Sequence, residues 1–596
     1  MKISTARRLA QIFFFSVFLW LVLVASVGTG WTQWRGWPIA WFLQLDPLAA
    51  VGTALTTHSL HPGLAWALVT IVLTILFGRV FCGFACPFGA IHQFVGWLGR
   101  HVRRPKDKMA ANAYRPAQSI KYYLLAAMLG AAALSVGNAF VGALQTGLLD
   151  PIPLVHRSFN LVVLPAADLA AGSRFPGGRY ATGAALIGGV FLATVLLNLW
   201  MPRFYCRFVC PLGALLGLFA RRSPWGIGKT GAKCIECGLC DVDCEGACNP
   251  MGPIRTSECL MCMNCLDTCP GSKPLAYLPR PSQGGEITDY GVTRRGFLAA
   301  AVGGLAVAPL ARIGGARTGW SPALIRPPGS VAEEEFLARC IKCCECVRVC
   351  PTNVLQPATT EHGWGALWTP ALNNRMGTSG CQLNCIACGQ ACPTGAIRPL
   401  TLGEKEGRGD FASAGPVRIG LAGVDRGRCL PWAMERPCIV CQENCPVTPK
   451  AIYVSEIVQT VRDGVYEVDS ADGANLRLRN ARLSPGQYAS GDYECKLAGD
   501  DRGRAILANT GDTLTVDTAS SPPGQVAPGS AAEVQIRLQR PVVDPALCIG
   551  CGVCEHECPM NGLRAIRVTA DNETRDPGHA ILLAPGVAGN RSLSPT

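Results

Sequence analysis

Histidine is scarce in this 596-residue chain, and its eight copies form no pairs inside the long apolar stretches, so nothing there points to haem ligation. Outside those stretches methionine and histidine form no clusters, which counts against a site for soft copper ions. No clear small-x-small cleavage site follows the first apolar run, so that run reads as an anchor and not as a removed signal peptide. It begins by about Leu9, which leaves no room for a soluble cofactor-binding domain ahead of it. Cysteine, by contrast, abounds. Its 31 copies are too many for a reduced enzyme with structural thiols only, and the chain is too long for a disulfide scaffold. The formal charge of +13 could suggest nucleic acid. Much of it flanks apolar runs (Arg7, Arg8; Arg100, Arg103, Arg104, Lys106, Lys108; Arg203, Arg207, Arg221, Arg222), which is the positive-inside pattern of a membrane protein, so no nucleic-acid partner is expected.

Four apolar stretches, 9–28, 64–84, 120–141 and 181–201, approach the ~20 residues that span a bilayer. Trp31 and Trp34 suit an interfacial position after the first. The basic residues put the N-terminus, the 85–121 connection and the segment after Met201 in the cytoplasm, with 29–63 and 142–180 outside.

An internal repeat runs through this region. Arg79-Val80-Phe81-Cys82-Gly83-Phe84-Ala85-Cys86-Pro87-Phe88-Gly89-Ala90 matches Arg203-Phe204-Tyr205-Cys206-Arg207-Phe208-Val209-Cys210-Pro211-Leu212-Gly213-Ala214. Upstream, Leu45-Asp46-Pro47-Leu48 echoes Leu149-Asp150-Pro151-Ile152. Cysteines four apart share one helix face, so Cys82, Cys86, Cys206 and Cys210 can converge as four thiolates that bind a cofactor, either an iron–sulfur cluster or a redox dithiol. Asp46 and Asp150, each followed by Pro, read as helix N-caps, and His58, His61 and His156 read as solvated loop histidines.

Next come Cys234-x2-Cys237-x2-Cys240-x3-Cys244 and Cys259-x2-Cys262-x2-Cys265-x3-Cys269-Pro270, the bacterial two-cluster ferredoxin spacing. Three cysteines on one tight loop grip three irons of a cube, and the fourth arrives from the other motif. The expected sets are Cys234, Cys237, Cys240 with Cys269, and Cys259, Cys262, Cys265 with Cys244. Cys248 competes for the last place.

Thr293-Arg294-Arg295-Gly296-Phe297-Leu298 and the small-residue apolar run behind it read as a twin-arginine export signal. Beyond it lie four more motifs: Cys340, Cys343, Cys346, Cys350; Cys381, Cys385, Cys388, Cys392; Cys429, Cys438, Cys441, Cys445; and Cys548, Cys551, Cys554, Cys558. They imply four [4Fe–4S] clusters in two ferredoxin-like pairs, either neighbouring (one with two, three with four) or nested (one with four, two with three). Cys344 and Cys495 fit neither scheme and are expected not to be ligands. An oxidising periplasm would turn loose thiols into disulfides. Clusters there must be built before export, which is the task of a twin-arginine route. Ala306-Val307-Ala308 and Gly314-Gly315-Ala316 are cleavage candidates, but Pro309 hinders the first, and an uncleaved fifth span is expected.

The expected fold is multidomain: an α-helical transmembrane module with internal duplication, α+β ferredoxin-like iron–sulfur domains, and a β-rich insertion. The module covers 1–222, a cytoplasmic two-cluster domain 223–290, the signal or fifth helix 291–316, and a periplasmic four-cluster domain 331–596 with the insertion at about 451–540. In the insertion Asp463-Gly464 suggests a hairpin, Thr513–Val516 and 534–538 further strands, and 520–530 a loop. No nucleophile triad, phosphate loop or substrate signature appears there, so a docking or covering role is expected.

On these motifs, residues 1–290 resemble the NapH-type membrane ferredoxins and 291–596 the NapG/MauM-type exported ferredoxins, fused end to end. The resemblance implies an electron-transfer component of the bacterial inner membrane, multi-pass, and a candidate quinol dehydrogenase. It would hold six [4Fe–4S] clusters, with a seventh cluster or dithiol at Cys82, Cys86, Cys206 and Cys210. Electrons would come from the quinone pool and leave toward a periplasmic c-type cytochrome or terminal reductase of the nitrate or nitrous-oxide type. The alternative is a metal-centre assembly factor, similar to the copper-reducing oxidase accessory proteins that share the Cys-x3-Cys-Pro motif. A likeness to NosR-type flavoproteins is weakened by the missing domain before Leu9. One difficulty stands: about 30 Å of hydrocarbon separates the two faces.

Overall fold

A computed structural model describes residues 3–25, 38–100, 105–133, 147–170, 179–269, 273–280, 285–287, 289–312, 321–363, 365–518 and 526–581. The expected anchors Trp31 and Trp34, Pro270, and the Gly314-Gly315-Ala316 site lie outside these. The chain divides into two compact units. The first holds 1–378, 384–419 and 574–576; the second holds 379–383, 420–573 and 577–596.

The first unit begins with the helix Ile3–Val24, long and apolar enough to cross a membrane; among the described residues no other helix meets that measure. The expected stretch 64–84 is not one continuous helix. Ala67–Phe77 stops at Gly78, whose φ of +77° ends it, and Val80–Phe84 follows as a separate short helix. The last expected stretch is the 17-residue helix Ala184–Trp200.

Both sequence repeats fold in the same local way. Asp46 caps Pro47–Thr57 and Asp150 caps Pro151–Ser158, each with Pro in the first turn, as expected of Asp-Pro. The short helices Val80–Phe84 and Phe204–Phe208 close alike, with Cys86 N–H donating to Phe81 O at 2.9 Å and Cys210 N–H to Tyr205 O at 2.8 Å. The proline after each second cysteine starts a new helix, Pro87–Arg100 and Pro211–Ala220. The described parts of the stretches expected as outer connections are themselves largely helical. His156 is a correction: far from solvated, it is fully buried beside Glu345. One apolar core joins Phe18, Phe42, Phe88, Ile152 and Leu212 to Ile341 and Cys343 of the first C-terminal cysteine motif.

The helix Arg294–Arg312 starts under a Thr293 cap, whose Oγ1 accepts Gly296 N–H at 3.1 Å, and it packs on Ile120–Ala133. The two backbones approach through small residues: a Cβ on Gly130 would lie 2.5 Å from Ala301 O, and one on Gly304 2.2 Å from Ala127 O. Close crossings of this kind, built on glycine and alanine, are typical of helices in lipid.

A half-buried acid anchors the later part of the unit. Glu333 takes Arg326 at 2.6 and 3.0 Å and Arg575 at 2.7 Å, tying 574–576 back to it. Burial pushes the Glu333 carboxyl up, but Arg326 and then Arg575 outweigh it and hold the group below its ordinary value. A depressed folded value means the stabilisation is complete above the unfolded value of roughly 4.3 and is lost as pH falls through the folded value. Glu333→Gln is expected to cost about 3 kcal/mol, because the buried Arg326 guanidinium loses its counter-charge. Urea unfolding at neutral pH should show that loss, and below the carboxylate range the gap between variant and wild type should narrow.

The second unit contains a closed six-stranded barrel. Its strands are β1 (Ile452–Asp472), β2 (Asn475–Leu478), β3 (Tyr493–Leu497), β4 (Gly503–Asn509), β5 (Thr513–Val516) and β6 (Ala531–Val543), in the order β3-β4-β5-β2-β1-β6. The expected hairpin at Asp463-Gly464 is not there. Both sides of that dipeptide pair with β6, and the register jumps between Glu533↔Val465 and Gln535↔Thr460. Asp463, at φ +60°, sits in a bulge that bends one 21-residue strand. An Asp-Gly pair satisfies a bulge as well as a turn, and local sequence does not separate the two. The expected strands at 513–516 and 534–538 are present in β5 and β6; of the expected loop, 520–525 lie outside the described residues. Cys495 is wholly buried in the barrel core with Val468, Leu476 and Val534, and burial raises its thiol to about 12.

Candidate iron–sulfur centres

Four of the six ferredoxin motifs share one backbone device. The residues on either side of the middle cysteine are left-handed: Glu236 and Gly238 around Cys237, Met261 and Met263 around Cys262, Lys342 and Cys344 around Cys343, Gly550 and Gly552 around Cys551. Two left-handed residues curl the loop so that its thiols face one side and its amides line a concave anion site. Only the glycines adopt this form without strain; the others cost of the order of 1–2 kcal/mol each. The device accounts for Cys344, which occupies a curl position, with its Sγ lying 3.7–3.8 Å from the carbonyls of Trp368 and Lys342. The two motifs with a stretched first interval lack the device and resemble each other instead. Ile386 and Ile439 have φ −124° with ψ near 10°, and each precedes a single helical turn carrying the next cysteine.

The thiols group as follows. Cys269 lies within electrostatic reach of Cys234, Cys237 and Cys240. Cys244 acts on Cys262 and Cys265. Cys248 meets Cys244, Sγ to Sγ, at 3.2 Å and also touches Cys259. Its own N–H donates to Cys244 Sγ at 3.3 Å, the pattern of a bond to a ligand thiolate, which favours Cys244 for the fourth place.

In the C-terminal half the sequence left two pairings open, and the fold brings neighbours together. Cys340, Cys343, Cys346 and Cys392 line one cavity, with walls from Phe336, Ile341, Ala396 and Ile397. Cys558 lies beside Cys429, which with Cys438 and Cys441 forms another set. Cys445 joins Cys548, Cys551 and Cys554. Of the rest, Cys350 is buried, and the helical turns carrying Cys346 and Cys388 pack together, with Cys385 one turn ahead. Cys381 belongs to the second unit, where its N–H donates to Cys551 O at 2.7 Å.

Each of these sets brings together four thiols, the number a four-iron cube takes. Among the described residues no three His, Cys, Asp or Glu side chains are placed to share one ion, whereas a cube needs its four thiolates spread apart, one per iron. Amide donors reach several sulfurs: Glu236 to Cys234 at 3.4 Å, Ile397 to Cys392 at 3.4 Å, Ala422 to Cys548 at 3.5 Å.

Cys82, Cys86, Cys206 and Cys210 also lie within reach of one another. Each repeat lends its arginine to the other. A Cβ on Gly213 would lie 2.7 Å from Arg79 Nη2, and one on Gly89 3.2 Å from Arg203 Nη1, so each guanidinium group packs closely over a glycine of the opposite repeat. The second cysteine of each motif sits at a helix N-terminus, where Gly89 N–H reaches Cys86 Sγ at 3.4 Å and Gly213 N–H reaches Cys210 Sγ at 3.1 Å. Arg79 Nη2 is 3.9 Å from Cys82 Sγ. Two arginines and two helix ends around four sulfurs make a site for concentrated negative charge. Below it, Arg203 pairs with Glu245 at 2.8 Å and Arg79 donates to Ser257 O at 3.0 Å. Lys121 and Tyr122 meet Glu258, so that the segment carrying Cys244 and Cys259 is locked against the quartet.

On its other side the helical module meets the first C-terminal motif. His156 Nδ1 is 2.6 Å and Asn160 Nδ2 2.9 Å from Glu345 Oε1, Arg157 donates to Lys342 O at 3.1 Å, and Thr56 donates to Ala338 O at 3.1 Å. Arg157 also lies over the Trp368 ring. Sequence reasoning missed all of these. The only trace was the pair of Leu-Asp-Pro echoes, which a capping role explains without any contact between domains.

Models of a 4Fe-4S binding domain match residues 60–105 with 182–231, and a further 4Fe-4S binding domain matches 541–564. The first match covers both Cys-x3-Cys-Pro segments. Among curated proteins, YccM, a candidate electron transport protein of Escherichia coli (strain K12), is 28% identical over 254 residues, 42% of this chain and 64% of that one. The regulatory protein NosR of Pseudomonas aeruginosa is 28% identical over 269 residues, 42% of this chain and 34% of NosR. The ferredoxin-type protein NapH of Escherichia coli (strain K12) is 26% identical over 239 residues, 38% of this chain and 71% of NapH. The chain thus spans just under two thirds of the first and about a third of NosR. No solved structure matches. The chain is an iron–sulfur protein with relatives among ferredoxin-type and electron transport proteins.

Proposed function

We propose that this protein is a quinol-linked electron conduit of the bacterial inner membrane. Its two-cluster domain lies in the cytoplasm, its last four cluster motifs in the periplasm, and six [4Fe–4S] clusters pass electrons toward a periplasmic reductase or c-type cytochrome. Bound clusters supply one-electron carriers. The chain's own residues hold them at fixed separations, exclude water and set their charge environment. The observation that carries this reading is the double docking of the helical module. It holds Cys244 and Cys259 on one side of the Cys82/Cys86/Cys206/Cys210 quartet and, through His156, Asn160 and Arg157, the loop of Cys340, Cys343 and Cys346 on the other. An intervening quartet of thiols, paired with arginines, supports a seventh redox centre in the gap of about 30 Å that a bilayer imposes. Resemblance to the NapH-type and NapG/MauM-type proteins supports quinol as donor, nitrate-type or nitrous-oxide-type reductases as acceptors, and twin-arginine export of the C-terminal half.

The test is anaerobic reduction of the purified full-length protein by a quinol analogue, followed by EPR. Reduced-cluster signals are expected within the mixing time. If none form although dithionite produces them, direct quinol oxidation by this chain is wrong.

A further inference from the structure

The two repeats meet at a pair of carboxyls. Asp46 and Asp150 are 0% and 1% exposed, and each caps its helix, Leu48 N–H reaching Asp46 Oδ1 at 2.9 Å and Ile152 N–H reaching Asp150 Oδ1 at 3.4 Å. Capping uses one carboxyl oxygen. Asp46 Oδ2 receives no N–H or O–H donor, and the Asp46 carboxyl lies within hydrogen-bonding range of that of Asp150. Two carboxylates in contact away from water cannot both ionise, and a hydrogen bond between them exists only if one carries a proton. Capping explains neither the contact nor the choice of Asp, since Asn or Ser caps as well.

A second buried group with an open valence lies within charge range of Asp46. His156 is 0% exposed, its Nδ1 is taken by Glu345, and its Nε2 has no partner. Asp150 is within charge range of Tyr205, whose hydroxyl donates to Leu149 O. Arg157, the remaining charged group near Tyr205, donates to the Gly147 and Lys342 carbonyls. The surroundings reach both redox sites in sequence, for Glu345 precedes Cys346 and Tyr205 precedes Cys206.

We propose that Asp46 and Asp150 form one proton-binding site, which takes a proton from water when an adjacent redox centre gains an electron. In the oxidised protein the pair holds one shared proton. On one-electron reduction it gains a second and becomes two carboxylic acids; on reoxidation that proton returns to water. The driving force is the cost of an uncompensated negative charge in a low-dielectric interior, which a nearby proton cancels. The proposal rests on the conduit reading above only in requiring a redox centre beside the pair.

The test is a mediated redox titration of the intact, detergent-solubilised protein at several pH values, read by EPR and without any quinol. At least one midpoint potential is expected to fall by about 59 mV per pH unit, the one-electron equivalent of a tenfold change in proton concentration. Asp46→Asn and Asp150→Asn keep the caps and are expected to abolish that slope while iron content and the other potentials stay unchanged. A wild type with no pH-dependent potential overturns the proposal, as does a slope that survives both substitutions. Should a variant fail to assemble, redox-difference infrared spectra of the wild type decide: a protonated-carboxyl band, shifted in D2O, must grow on reduction, and its absence is equally fatal. A proton-linked slope in a protein that quinol cannot reduce leaves the pair intact and removes only the donor.

Discussion

Cys392→Ala is expected to remove the same EPR signal as Cys343→Ala, although the two residues lie in different sequence motifs. Each should lower the iron content by about four atoms, at four per cluster. Cys340, Cys343 and Cys346 share one cavity with Cys392, and Cys392 acts electrostatically on all three. In the nested scheme Cys558→Ala would match Cys343→Ala; here it should match Cys429→Ala, and Cys445→Ala should match Cys548→Ala. Because cluster ligation contributes folding free energy, Cys392→Ala should also lower the unfolding midpoint of the first unit, while Cys344→Ala should leave iron unchanged. A lost signal common to Cys343→Ala and Cys558→Ala would refute the neighbouring scheme.

The expected ligand sets could be drawn from the sequence because a cube imposes its spacing on the chain. Three cysteines at x2 intervals must share a tight loop, and a following Pro marks the arrival of the fourth. Pairing was not legible, since the fourth ligand comes from a distant motif and spacing carries no long-range information. The left-handed curl was only half visible: Gly238, Gly550 and Gly552 announce it, but Glu236, Met261, Met263, Lys342 and Cys344 adopt it against their own preference, forced by the loop. Asp46 and Asp150 show the limit from another side. Each was correctly read as a cap from its neighbour Pro, a local fact. Their contact joins two repeats about 100 residues apart, and no local rule predicts it. His156 looked like a solvated loop residue for the same reason; what buries it is Glu345, 189 positions away. The Asp463-Gly464 error was of a different kind, because a bulge and a hairpin ask for the same residues and only the partner strand decides.

The quartet carries the second large effect. Cys86→Ala and Cys210→Ala are each expected to stop electrons equilibrating between clusters bound by residues 234–269 and those bound in the C-terminal half, while the ferredoxin-type signals remain. The geometry favours an anionic centre over buried apolar thiols. Arg79 and Arg203 are fully buried and each projects onto the opposite repeat; Arg203 is bonded to Glu245, and Arg79 lies in the field of Glu258 with Cys82 beside it. Burying a guanidinium without compensation costs several kcal/mol, and negative charge on the sulfurs adds to what these carboxylates supply. Iron then separates the two forms of the centre. A seventh cluster predicts about 28 iron atoms in the wild type and about 24 in either variant; a dithiol predicts about 24 in all three. For a dithiol the wild type alone should show a two-electron couple, moving about 30 mV per tenfold change in its oxidised-to-reduced ratio. Arg203→Met tests the charge argument separately. It breaks the Arg203–Glu245 ion pair, with Gln93 and Asn264 still donating to the Glu245 carboxylate, and removes a cation facing the sulfurs, which should lower the centre's midpoint potential. Variants at Cys86 and Cys210 that equilibrate their clusters as fast as wild type, with iron unchanged, would show that electrons do not pass through these sulfurs.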